Sequence, residues 1–216
     1  LTGLPETAAR PKGKTSTGKE HDVTEDEVLA EFRAAGALLE GHFILSSGLH
    51  SPKYLQCARV LMNPARAARL AEALAQTIPD ALRDSIDVVL SPAMGGIIIG
   101  HEMGRALGKD AFFLERPEGV FELRRGFAVE PGQRALMVED VVTTGLSSRE
   151  AIAAAEKAGV TVVAEASLVD RSNGSVDLGV PFFPLIRLDV PTYAADALPP
   201  ELAALPAIKP GSRAKP

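Results

Sequence analysis

The stretch ALMVEDVVTTGLSSREAIAAAEKAG, residues 135–159, decides the fold of this chain. An apolar run ends in two adjacent acids, Glu139 and Asp140. Val141 and Val142 follow, then Thr143, Thr144, Gly145, Leu146, Ser147 and Ser148, and the chain turns helical. The order is buried strand, acidic pair, hydroxyl- and glycine-rich turn, helix. Carboxylates accept hydrogen bonds from vicinal hydroxyls. Their charge also steadies a sugar carbon that becomes electron-poor. Successive backbone N–H groups in a turn that opens a helix form an anion site. The stretch therefore suits a sugar phosphate. A bare TTG turn would read as an ordinary helix cap; the acids in register ahead of it point to a ligand.

Outward from this stretch, strands and helices alternate. Thr24 and Glu27 predict a capping box before Val28, Leu29, Phe32, Ala35, Leu38 and Leu39 at helical spacing, with Gly41 ending that helix. Phe43–Leu45 and Tyr54–Leu55 read as short strands around SSGLHSP. Asn63-Pro64 opens a helix with Leu70, Leu74 and Ile78 on its apolar face. Asp87–Leu90 reads as a strand, followed by SPAMGG and a helix through Ala106. Phe112–Leu114 is another strand, and residues 120–129 a polar hairpin or mobile loop. Val160–Val169 is a long β-branched strand, and Pro184–Leu188 a last short one. A short helix is expected after Tyr193. Such alternation implies an α/β fold with a mostly parallel sheet flanked by helices. Ligands bind beyond the carboxyl ends of such strands. SPAMGG, EDVVTTGLSS and DRSNG lie at three of those ends.

The 216 residues, 46% hydrophobic, fit one main domain over residues 23–216, behind a polar tail, 1–22, expected to be disordered. A net charge of −5 argues against nucleic-acid binding. No apolar run long enough for a membrane helix and no apolar signal core occurs, so a soluble cytoplasmic protein is expected, with no membrane partner. A single cysteine, Cys57, excludes an intrachain disulfide and reads as a small buried residue. The four histidines show no metal spacing.

The motif around Glu139 and Asp140 resembles the binding signature for phosphoribosyl pyrophosphate (PRPP) in the type I phosphoribosyltransferases. GHFILSSGLHSPKYLQ, SPAMGG and SLVDRSNG carry the resemblance to the orotate-using members of that family, over roughly residues 24–190 in the expected order. The resemblance implies the family's fold, with a small N-terminal hood (mainly 23–60, plus the C-terminal segment). It implies transfer of phosphoribose from PRPP to orotate, giving orotidine 5′-monophosphate and pyrophosphate, in pyrimidine biosynthesis. It also implies Mg2+ and a homodimer with shared active sites. Glu139, Asp140, Val141, Val142, Thr143, Thr144, Gly145, Leu146 and Ser147 take the PRPP role, with Glu139 and Asp140 also catalytic. Ala93, Met94, Gly95 and Gly96 form the pyrophosphate loop. Thr143, Arg171 and Tyr54 face orotate. Residues 115–126 match the mobile catalytic loop, in which Arg116 is catalytic and binds the pyrophosphate of PRPP.

The chain departs from the family pattern in that loop. A Lys and a His of many relatives are absent, with Pro117, Val120 and Phe121 in their place; Arg124 and Arg125 are the nearest cations. Gly95 and Ser46 replace lysines found in some relatives. His50 lies near the orotate segment. Rival expectations are a phosphoribosyltransferase for purine or uracil, a PRPP-binding regulator without catalysis, and a nucleotide-binding domain with no enzymatic role.

Overall fold

A computed structural model describes residues 23–45 and 48–210. The tail expectation for 1–22, and Ser46, lie outside these residues. Helix α1, Glu25–Ala34, starts where the capping box predicts: Thr24 N donates to Glu27 at 2.8 Å, and Glu27 N to Thr24 Oγ1 at 3.3 Å. It stops earlier than its apolar spacing suggested. Ala35 caps it, Gly36 turns left-handed at φ 60°, and Ala37 N donates back to Phe32 O. Leu38 and Leu39 therefore belong to strand β1, Leu38–Ile44. An αL glycine ends a helix whatever the spacing beyond it promises.

Strand β1 pairs antiparallel with β2, His50–Leu55. Helices α2, Cys57–Leu61, and α3, Pro64–Gln76, follow. The Asn63 side chain accepts from Arg66 N at 3.0 Å, a cap of about 1 kcal/mol. Leu70, Leu74 and Ile78 are buried, each contributing roughly 1.5–3 kcal/mol. A short α4, Asp80–Arg83, leads to β3, Val88–Pro92, buried throughout. Then come α5, Gly96–Leu107; β4, Asp110–Glu115; and β5, Glu122–Leu123. Next are β6, Arg134–Val142; α6, Leu146–Lys157; β7, Thr161–Asp170; and β8, Phe182–Arg187. Helix α7, Pro200–Ala203, and strand β9, Ala207–Ile208, complete the order.

The main sheet runs β5-β4-β3-β6-β7-β8 and is parallel except for β5, which turns back on β4. Helices α3 and α5 pack one face, with Leu136, Val138, Ala164 and Ala166 of the sheet. Helix α6 packs the other, through Ala151, Ile152 and Ala155 against Ala135 and Met137. Central strands buried on both sides explain why their sequence is continuously apolar rather than alternating. A second sheet, β2-β1-β9, sits apart from it, and β9 had no sequence signal of its own. Strands β3, β6 and β7 are adjacent, so SPAMGG, EDVVTTGLSS and DRSNG meet at one edge.

Candidate active site

Alternation along β6 sends its two acids to opposite faces. Glu139 follows Met137 towards α6. Asp140 follows Leu136 and Val138 towards α5, where a Cβ built on Gly95 would lie 2.7 Å from Asp140 Oδ1. Asp140 Oδ1 accepts from Val141 N at 2.9 Å, and its backbone oxygen faces Cys57 Sγ at 3.9 Å. Burial raises the Asp140 carboxyl above its usual range. Burial, reinforced by the charges of Asp140 and Glu165, pushes Glu139 to about 9, while Arg116 opposes the rise. A ligand that stabilises the anions of Glu139 and Asp140, whether hydroxyl donors, a cation or a cationic sugar carbon, lowers both again.

Beyond the acids the chain reverses at Gly145, φ 71°, directly into α6. A Cβ there would meet Leu178 Cδ2 at 2.7 Å, so both the left-handed turn and the close approach require glycine. Arg149 ties the turn down, donating to Thr144 O at 3.2 Å and Asp177 O at 3.1 Å. No side chain of Gly145 can cap α6, and Leu146 N reaches only Thr144 Oγ1 at 3.4 Å. The first turn thus keeps backbone donors for an anion. Thr143, Thr144 and Ser147 are exposed around it.

Across from this turn, residues 93–96 form the second loop. Ala93 N donates to Leu114 O at 2.8 Å, and the Ala93–Met94 peptide is cis. A Cβ on Gly96 would lie 2.9 Å from Val138 O, so this loop sits against the acid-bearing strand. Asp140, Cys57, Tyr54 and Arg171 form a third group. Asp140 and Cys57 help burial raise the Tyr54 hydroxyl, and Arg171 opposes them. Burial raises the Cys57 thiol well above its usual range, which makes it inert. Arg171 N donates to Val142 O at 2.8 Å, and burial lowers its guanidinium's hold on the proton. Its buried Nε has no partner. Asp170 fixes the turn after it, accepting from Ser172 N at 2.7 Å and Gly174 N at 3.2 Å.

The loop cations sit differently. Arg116 leaves the end of β4, stacks on Phe121 at 4.0 Å, and pairs with Glu150 of α6. Its Nη2 lies 3.3 Å from Ser147 Oγ, on the turn of its own chain. Arg124 and Arg125 fold back on Glu115, at 3.3 and 2.5 Å, and are not brought to the acids. His50 pairs with His42, ring nitrogens 2.6 Å apart, within the small sheet. Three residues escaped the sequence reading: Arg149 and Glu150, because a helical face hides them, and Glu165, a charged residue in the buried strand VVAEASLV. That last incongruity was visible in the sequence.

A parallel sheet with a buried acidic pair, an uncapped helix start and a glycine loop at one edge defines a sugar-phosphate transferase site. The family model of the phosphoribosyl transferase domain matches residues 57–178. The chain belongs to that family, and within it to the orotate phosphoribosyltransferases. It is 75% identical over 192 residues to the orotate phosphoribosyltransferase of Rhizorhabdus wittichii, covering 89% of this chain and 98% of that one. To the enzyme of Novosphingobium aromaticivorans it is 72% identical over 194 residues, covering 90% and 100%. The crystal structure of the orotate phosphoribosyltransferase from Aeropyrum pernix superposes with a TM-score of 0.61 at 25% identity, covering 74% of this chain and 93% of that one. The fold is the type I phosphoribosyltransferase fold.

Proposed function

We propose that the protein transfers the 5-phosphoribosyl group from PRPP to N1 of orotate, giving orotidine 5′-monophosphate and pyrophosphate in pyrimidine biosynthesis. The observation that carries this is the placement of Glu139 and Asp140 beside the uncapped start of α6, with Arg171 and Tyr54 on the far side. The 5′-phosphate sits on the N–H groups of residues 143–147. The ribose hydroxyls donate to Glu139 and Asp140. The bond from C1 to pyrophosphate breaks, its electron pair leaving with pyrophosphate; N1 of the base supplies the electron pair of the new bond, and its proton passes to the departing pyrophosphate. Both carboxylates stabilise the positive charge that develops at C1 between these events. Residues 93–96 and Arg116 receive pyrophosphate. Arg171, with its unpartnered Nε, pairs with the oxygen-rich edge of orotate; a planar guanidinium matches that geometry.

Mg2+ enters as part of the substrate. Among the described residues Glu139 and Asp140 are the carboxylates that end β6 at the site, so diphosphate and ribose oxygens would supply most of its ligands, as a hard cation prefers. The active unit is a homodimer in which residues 115–126 close over the site. Closure requires Arg116 to exchange Glu150 for pyrophosphate. No described helix is long and apolar enough to cross a membrane, and we place the protein in the cytoplasm. The test is the loss of orotate absorbance with PRPP and Mg2+, run beside uracil, adenine and hypoxanthine. No orotate turnover, or faster turnover of another base, would sink the assignment.

A further inference from the structure

Glu165 has no part in the chemistry above, yet it lies beneath it. It is fully buried in β7, and neither carboxyl oxygen has a hydrogen-bond partner. Buried polar groups without partners are rare and costly. In the β6–β7 register, Glu165 stands opposite Met137 and Ser167 opposite Glu139. Glu165 and Glu139 are thus diagonal neighbours on the α6 face, within reach of long side chains. Ser167 Oγ is also buried and unpartnered. Ser148, in the first turn of α6, is near enough to lower Glu165's hold on its proton but forms no hydrogen bond with it. Phe182 of β8 stands in register on the other side. Arg149 and Asp177 are engaged with backbone groups. Arg116 and Asp140 act on Glu139 rather than on Glu165.

We propose that Glu165 is a positioning residue for Glu139: as a neutral acid it donates to Glu139 when PRPP arrives, holding Glu139 as an anion turned to the ribose hydroxyls. This rests on the assignment of the acidic pair to ribose. The geometry fits the role, because Glu165 is the one described carboxyl behind Glu139 on that face with both oxygens open. The proton count follows. In the empty site burial raises Glu139 to about 9 and Glu165 to about 7. Between these values the two coupled acids hold about one proton between them. Ribose hydroxyls donating to Glu139 favour its anion, so the shared proton rests on Glu165 on binding. Above the upper value both acids are ionised, and Glu165 must take a proton from solvent. PRPP affinity therefore falls as pH rises there.

The test is calorimetry of Mg2+·PRPP binding at about pH 8 in two buffers of different ionisation enthalpy, with wild type, Glu165→Gln and Glu165→Val. The ligand's own protons cancel in the comparison. Wild type moves the proton internally. Glu165→Gln has nowhere to put it and releases up to about one more proton than wild type. Its amide still donates, so its KM for PRPP stays near wild type but loses the alkaline rise. Glu165→Val cannot donate and raises that KM about three- to tenfold, the net worth of one hydrogen bond, with kcat little changed and no loss in melting temperature. Equal proton release by wild type and Glu165→Gln, or a Glu165→Val KM within about twofold of wild type, overturns the proposal. Should Glu165→Gln not fold, Glu165→Val carries both readouts. Wild-type orotate turnover, measured alongside, tests the site assignment separately, since PRPP binding needs no acceptor base.

Discussion

Gly95→Ala would place a methyl group where Asp140 already stands. The backbone is no obstacle: Gly95 has φ −60° and ψ −42°, open to any residue. The side chain is the obstacle. A Cβ would lie 2.7 Å from Oδ1, 2.9 Å from Cγ and 2.9 Å from Oδ2 of Asp140. Non-bonded atoms rest at about 3.5 Å or more, so either the carboxylate or the first turn of α5 must retreat. Overpacking of this kind costs about 1–3 kcal/mol. If Asp140 moves, the cost falls on the ligand, and kcat/KM for PRPP drops roughly 5- to 150-fold. If α5 moves, melting falls by about 2–4 °C per kcal/mol. Initial rates against PRPP and thermal melts on a four-member cycle with Asp140→Ala separate the two. In the Asp140→Ala background the methyl meets no carboxylate, and Gly95→Ala should cost nothing in stability. Wild-type KM in Gly95→Ala, with coupling below about 0.5 kcal/mol in the cycle, would refute the steric reasoning.

Other predictions concern charge. Glu139 holds its proton more tightly folded than unfolded, up to about 9 from 4.5. The folded chain therefore binds more protons, and stability present below the unfolded value is lost as pH rises through that window. Melting temperature should fall from pH 5 to 9 and fall less in Glu139→Gln; parallel curves would count against the burial argument. Asp140→Asn keeps shape and removes charge, so it should cut PRPP turnover at least about tenfold while melting at no lower temperature; activity within about twofold would exclude the acid's role. Mixing Arg116→Ala with Asp140→Asn should restore part of the activity if sites are shared, and verified mixed dimers without recovery would place each site within one subunit. Arg171→Lys keeps the charge but loses the planar fork, and should raise the KM for orotate by about tenfold with the KM for PRPP unchanged. Equal effects on both would move Arg171 away from the base.

The parts of the site visible in the sequence were those fixed by neighbours in the chain. The acids, the turn and the start of α6 follow one another within residues 139–148, and strand alternation alone separates the two carboxylates. SPAMGG and DRSNG were placed correctly because parallel topology brings strand ends to one edge. What escaped depends on side-chain direction across the fold. Helical spacing carried α1 past Gly36, since apolar residues at 38 and 39 also suit a strand. The partners of Arg116, Arg124 and Arg125 are Glu150 and Glu115, and nothing in the sequence of residues 115–126 alone predicts these pairings. Glu165 became intelligible only once the β6–β7 register set it diagonal to Glu139.

The small sheet joins distant parts of the chain. His42 and Phe43 of β1 pair with Ala207 and Ile208, while His50 pairs with Tyr193 and His42 bonds to Leu205 O at 3.0 Å. Both backbone edges of β1 are therefore occupied only when residues near 193–208 have been made. During synthesis, β1 and β2 leave the ribosome long before their third strand. A nascent chain in that interval carries a two-stranded ribbon with an open edge, marginal on its own and open to pairing with other chains. Closing the loop between residues 43 and 208 is among the costliest contacts in entropy. The assembly of this sheet is thus a late event in the life of each molecule, and a stalled or prematurely terminated chain would present Tyr54 on an unfinished support.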